Sequence, residues 1–290
     1  MRSIKTTLKR LKKTIQSLFK RLPLKRLKAA VSDALDLEKI PNLVRIAKTI
    51  FRPLLLVTAV MISALAAKNG HNVYLFHKVG SQVVFIQAPA GAKNQGTATG
   101  FQVIAPSGRV YTLTNAHVCE LQKDGIVLVS EKQNSGRLIP RRVLEVYEKN
   151  DLCLVEGLAG YGGLSLADSW EVGDQNWAIG YPMGEALNMT SGFLKEKANI
   201  KLFLQEVAPK DCKGPGMSIE DVNLGFISLP FCFIERSAIQ TNITIFPGNS
   251  GSPMVNVFGN VTGVVFASNN YTDWGSSVPL EDVIDFLKAY

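Results

Sequence analysis

Phe246-Pro247-Gly248-Asn249-Ser250-Gly251-Ser252-Pro253 holds a serine between two glycines, with a proline near each end. Glycine allows backbone angles closed to other residues, so a turn here can be sharp and its N–H groups can converge. A hydroxyl raised on such a turn, beside converging donors, is what an acyl-transfer nucleophile and its oxyanion hole require. Taken alone, the stretch reads just as well as a Gly/Pro/Asn turn between two strands. Its meaning depends on what the rest of the chain supplies.

Two stretches upstream supply it. Thr112-Leu113-Thr114-Asn115-Ala116-His117-Val118-Cys119 places a histidine where an apolar strand ends, next to small residues able to start a helical turn. Asn150-Asp151-Leu152-Cys153-Leu154-Val155 places an acid immediately ahead of another apolar strand. Each has an ordinary explanation, since a lone histidine is usually structural and an aspartate at a boundary usually caps a turn. Together they run in the order His, Asp, Ser, the order of the chymotrypsin-type triad.

The surrounding pattern is all-β. Short β-rich runs at Val73–Phe76, Val83–Gln87, Thr99–Ile104, Val110–Asn115 and Arg141–Tyr147 read as strands. They continue at Leu152–Glu156, Trp177–Gly180, Ile200–Val207, Leu224–Glu235, Ile239–Ile245, Met254–Val257 and Val261–Ser268. Many short strands between turns predict a barrel or sandwich. The spacing of Leu280, Val283, Ile284 and Leu287 predicts a closing amphipathic helix within Pro279–Tyr290.

The net charge of +8 suggests nucleic acid until it is located. Residues 1–52 carry 15 Lys and Arg against three acids, and the remainder carries 17 against 21. The basic balance belongs to the N-terminal arm, so no nucleic-acid partner is expected for the main domain. A rival reading makes that arm a tether between nucleic acid and a membrane. Within the arm, Ile4, Leu8, Leu11, Ile15, Leu18, Phe19 and Leu22 recur at helical spacing opposite Lys and Arg, a pattern suited to an anionic membrane surface.

Pro53–Ala67 is uncharged, but as a helix it would be about 22 Å long, shorter than the roughly 30 Å hydrocarbon core. Extension back to Leu43 takes in Arg45, Lys48 and Arg52, which could snorkel. The run ends in Ala64-Leu65-Ala66, a pattern that signal peptidases cleave. An uncleaved signal-anchor is expected, with cleavage near Ala66 and secretion as the alternative. Both place the following domain in the periplasm or outside the cell. A mitochondrial presequence with an inner-membrane anchor is the third option.

Cys119, Cys153, Cys212 and Cys232 show no CxxC or Cys/His ligand spacing, so no metal site is expected.

Thr114–His117, Asn150–Leu154 and Gly248–Pro253 resemble the corresponding stretches of the trypsin-like serine proteases, and within them the HtrA (Deg) branch. Gly100-Phe101, Leu166-Ala167-Asp168-Ser169, Val172-Gly173-Asp174, Ala178-Ile179-Gly180-Tyr181-Pro182-Met183-Gly184, Ile239-Gln240-Thr241-Asn242 and Gly275-Ser276-Ser277-Val278-Pro279 support it in the same order. The resemblance spans most of 73–290. It implies two six-stranded antiparallel β-barrels with a C-terminal helix, preceded by the arm (1–52) and the apolar segment (53–67).

The implied activity is a serine endopeptidase acting on protein or peptide substrates, in membrane-anchored protein quality control or processing. The catalytic residues would be His117, Asp151 and Ser250, with the N–H groups of Gly248 and Ser250 as oxyanion hole and no cofactor. The primary specificity pocket would be lined by Thr244, Phe266, Ala267 and Ser268. With no acid there, a small or medium apolar P1 residue is expected. A catalytically inactive, protease-like binding protein at a membrane is the alternative, and an oligomer is compatible with either.

The sequence also departs from the family. Ser252 stands where a second glycine usually follows the nucleophile, and no PDZ module is expected after the final helix. The roughly 45 residues between Ser191 and Arg236 look longer than the usual connection. That insertion holds Cys212 and Cys232, predicted to form the one disulfide. Cys119 and Cys153 are predicted to be free core thiols.

Overall fold

Residues 41–130, 136–203, 207–214, 216–223, 225, 227–269 and 274–290 are described by a computed structural model, without the side chains of 41–56, 59, 62 and 267–269. The first six strands are β1 (Val83–Gln87), β2 (Thr97–Ile104), β3 (Val110–Thr114), β4 (Ile126–Ser130), β5 (Leu138–Tyr147) and β6 (Leu152–Glu156). They close an antiparallel barrel in the order β1-β2-β3-β6-β5-β4. Alternate residues of a strand face opposite sides. Val84 and Ile86, Val127 and Val129, and Cys153 and Val155 therefore share one buried cluster. Phe101, Val103, Leu113, Leu152 and Leu154 turn the other way, into a second cluster shared with Trp177, Ile179 and Val264. Burial on both faces explains why β6 is apolar at four successive positions.

The second sheet comprises β7 (Gln175–Gly180), β8 (Asn188–Phe203), β9 (Met217–Asn223), β10 (Ser228–Thr241), β11 (Pro253–Val255), β12 (Val261–Asn269) and β13 (Trp274–Pro279). Their order is β13-β12-β11-β7-β8-β10-β9, and β10 also pairs with β13 through Ile239–Thr241. That pairing joins six strands into a ring and leaves β9 outside it, on the far end of β10. The second six-stranded set therefore carries a seventh strand. Cys212–Cys232 (Sγ–Sγ 2.04 Å) joins the segment before β9 to β10, the bridge expected within the insertion.

The chain separates into units 1–69 and 70–290. Helix α1 is Pro41–Gly80, α2 is the four-residue Ala116–Cys119, and α3 is Leu280–Leu287. Val73–Phe76, expected as a strand, lies within α1. Leu75 and Val79, four apart on one helical face, are both fully buried, and that packing overrides a β-rich composition. The apolar run Pro53–Ala67 lies in α1 too. Among the described residues no helix is long and apolar enough to cross a membrane. The amphipathic pattern of residues 1–27 lies outside the described residues.

A further expectation is corrected. Cys119 and Cys153 form a disulfide (Sγ–Sγ 2.04 Å) and are not free thiols. Thr114 pairs with Cys153 across β3 and β6, and α2 begins two residues later, so the register brings the two sulfurs together.

Candidate active site

His117 sits in α2, where β3 gives way to a short helical turn through Asn115, whose extended backbone (φ −86°, ψ 157°) redirects the chain. Asp151 follows a 3-10 turn, Glu148–Asn150, and adopts the left-handed conformation (φ 56°, ψ 46°), which aspartate tolerates better than most residues. This twist delivers its carboxylate to His117. The imidazole Nδ1 lies 2.9 Å from Oδ2 and 3.0 Å from Oδ1, and the His117 backbone N–H donates to Oδ1 at 3.1 Å. Asn115 Nδ2 donates to the Asp151 carbonyl at 3.0 Å. A carboxylate facing Nδ1 places the proton there and leaves Nε2 as the basic nitrogen. Asp151 is fully buried while His117 keeps part of its surface open. Burial pushes the Asp151 carboxyl up, but His117 and the guanidinium of Arg236 outweigh it and hold the group below the usual carboxylate value.

The turn that carries Ser250 is held by backbone geometry. Gly248 (φ +90°) and Gly251 (φ +83°) both lie in the region that favours glycine. A Cβ on Gly251 would stand 2.0 Å from the Thr99 carbonyl oxygen, and one on Gly248 would stand 2.5 Å from that of Tyr181. The Thr99 N–H donates to the Ser250 carbonyl at 2.9 Å, and Thr99 Oγ1 donates to the Gly248 carbonyl at 2.7 Å. Thr114 Oγ1, three residues before His117, donates to the Thr99 carbonyl at 2.7 Å. From the other side the Met183 N–H donates to the Pro247 carbonyl at 2.6 Å. Ser250 is therefore pinned against the strands that lead to His117. Among the described residues, the N–H groups of Gly248 and Ser250 donate to no backbone carbonyl, and no hydrogen bond joins Ser250 Oγ to His117 Nε2. Ser252 is fully buried, and Gly180 makes room for it, since a Cβ there would stand 1.9 Å from Ser252 Oγ.

The expected pocket residues fall in different places. Phe266 is buried on β12 and lines a cleft of about 410 Å³ together with His117 and Asp151. Thr244 is exposed beyond the end of β10, with its carbonyl accepting from Thr190 Oγ1 at 3.1 Å. Ala267 and Ser268 pair through their backbones with Ser276 and Gly275 of β13. Thr99 and Arg236 escaped the sequence reading. Thr99 has a legible signal, a hydroxyl directly ahead of Gly100-Phe101. Arg236 shows none beyond its place before Ile239-Gln240-Thr241-Asn242. Among the described residues no group of three His, Cys, Asp or Glu side chains is placed to hold a metal ion.

A closed β-barrel beside a second antiparallel sheet, with a His–Asp pair on one and a glycine-framed serine on the other, is a trypsin-like architecture. The family model of the trypsin-like peptidase domain matches residues 98–264, and the chain belongs to that family. It is 30% identical to a probable periplasmic serine endoprotease DegP-like of Pseudomonas fulva, over 70% of this chain and 38% of the relative. A protein of the same description from Chlamydia pneumoniae is 29% identical over 65% of this chain and 33% of its own length. The chain thus spans about a third of the length of these relatives. Among solved structures, the active form of the Rv3671c protease of M. tuberculosis matches with a TM-score of 0.54 at 21% identity, over 73% of this chain and 81% of that one. A serine endoprotease from Yersinia pestis matches with a TM-score of 0.51 at 18% identity, over 74% and 65% of the two chains. At these identities the structural likeness speaks for the fold.

Proposed function

We propose that this chain is a serine endopeptidase working through His117, Asp151 and Ser250. Ser250 Oγ attacks the peptide carbonyl, and His117 Nε2 takes its proton and returns it to the leaving amine. Asp151 holds the imidazole tautomer and stabilises its charged form. The N–H groups of Gly248 and Ser250 hold the oxyanion, each such donor being worth about 10²–10³ in rate. Water then releases the acyl group by the same steps in reverse. The observation that carries this reading is the His117 Nδ1–Asp151 bond, which leaves Nε2 as the nitrogen open to a proton from Ser250. The missing Ser250–His117 bond does not weigh against it, since such bonds are often long before substrate binds.

Thr244, Phe266, Ala267 and Ser268 line the primary specificity pocket in this reading. No acid stands among them, so a small or medium apolar P1 residue is preferred. The relatives' description as periplasmic, together with two disulfides, supports a domain outside the cytosol. Pro53–Ala67 directs that export, either staying as an anchor or being cleaved near Ala66, and the work is processing or quality control of exported proteins. The test is labelling with a fluorophosphonate probe. Wild type should label and Ser250→Ala should not. An unlabelled wild type would favour the catalytically inactive binding protein instead.

A further inference from the structure

The carboxylate of Asp151 has a second partner that the triad chemistry does not use. Arg236 Nη1 lies 2.9 Å from Asp151 Oδ2, and Nη2 donates to the Glu148 carbonyl at 3.3 Å, just ahead of Asp151 in the chain. The Arg236 side chain is 12% exposed and Asp151 is fully buried, so the pair is only lightly screened by water. Arg236 Nε is buried with no hydrogen-bond partner, so the two Nη contacts set the orientation of the fork. The guanidinium arrives from β10 of the second sheet, whereas His117 and Asp151 belong to the barrel.

The charged groups around the cleft are few. Glu120 directly follows α2, Glu148 comes from the 3-10 turn, and Asp151 and His117 complete the barrel side. Beta strands 8, 9 and 12 contribute Leu202, Met217 and Phe266, all uncharged. Arg236 is the one charged residue that the second sheet brings to the described lining. A fixed cation at 2.9 Å from the carboxylate competes with the imidazolium for that carboxylate and ties its position to the second sheet.

Resting on the triad reading above, we propose that Arg236 is a positioning residue. It orients the Asp151 carboxylate through its two-point grip on Oδ2 and the Glu148 carbonyl, and it tempers how strongly that carboxylate favours protonated His117. Through it, the long β10 strand reaches the acid–base half of the site without touching substrate. A merely structural ion pair would support the junction but leave the titration of His117 where it is.

The experiment is an NMR titration of ¹⁵N-histidine-labelled full chain, where only three histidines resonate, with peptidase kinetics on the same samples. In Arg236→Gln the titration midpoint of His117 should rise, because the competing cation is gone. The acidic limb of kcat/KM should move up with it, and kcat should fall about tenfold at unchanged KM. Arg236→Lys keeps the charge and loses the fork. It should titrate as wild type yet still lose kcat, and it serves as the test if the Gln variant does not fold. An unmoved His117 midpoint in folded Arg236→Gln, or wild-type kcat in Arg236→Lys, overturns the proposal. A wild type that neither labels with fluorophosphonate nor cleaves peptide overturns the triad reading, a different result from an active wild type whose histidine ignores Arg236.

Discussion

The barrel holds its half of the site with side chains, and the second sheet holds its half with backbone. His117 and Asp151 lie 34 residues apart, meet through three hydrogen bonds, and each is followed two residues later by one sulfur of Cys119–Cys153. Ser250 depends instead on two glycines at positive φ and on bonds from Thr99, which belongs to the other barrel. The His117–Asp151 pair is therefore assembled within the barrel, and Arg236 reaches it from the second sheet. The proposed nucleophile instead sits on a turn held by contacts from outside its own segment.

The largest effect should follow from disturbing the turn that carries Ser250. Gly251→Ala adds a methyl 2.0 Å from a backbone oxygen, which has no rotamer to escape into, at φ +83°. It should cost about 3–4 kcal/mol in urea unfolding and abolish probe labelling. Gly108→Ala meets nothing within 4 Å at a similar φ of +81°. It should cost only about 1–2 kcal/mol of backbone strain, with labelling intact. Equal losses would mean that crowding against Thr99 is not what holds the turn.

The disulfides give a second contrast. Removing Cys119–Cys153 with paired alanines should lower global stability by about 4 kcal/mol, by loop closure over 34 residues. Removing Cys212–Cys232 releases a ribbon that the closed ring of six strands does not need. The melting midpoint of the whole domain should barely move, while limited proteolysis between β8 and β10 should become faster. A global loss from the ribbon pair as large as from the barrel pair would erase the distinction between body and appendage.

The same division explains what could be read from sequence. Val83–Gln87 and Leu152–Glu156 were legible to the residue, because strands buried on both faces advertise themselves as unbroken apolar runs. Met217–Asn223 was not legible. Its residues alternate between intermediate and exposed positions and include Glu220 and Asp221, so composition alone reads as loop. Likewise β10 was read as two strands, Leu224–Glu235 and Ile239–Ile245, because Arg236 and Ser237 interrupt the apolar pattern. That interruption is where Arg236 turns toward Asp151. The three proposed catalytic residues stood out through their local motifs. Thr99 and Arg236 did not, since their roles arise from contacts across 149 and 85 residues of sequence.

The most direct test of two halves acting as one unit is the peptidase rate of His117→Ala, Ser250→Ala and the double variant under identical conditions. Each single change should lower kcat by about 10⁴-fold or more, and the double should be no worse than either alone. Losses that multiply in the double variant, or a Ser250→Ala protein that keeps most of its activity, would contradict it.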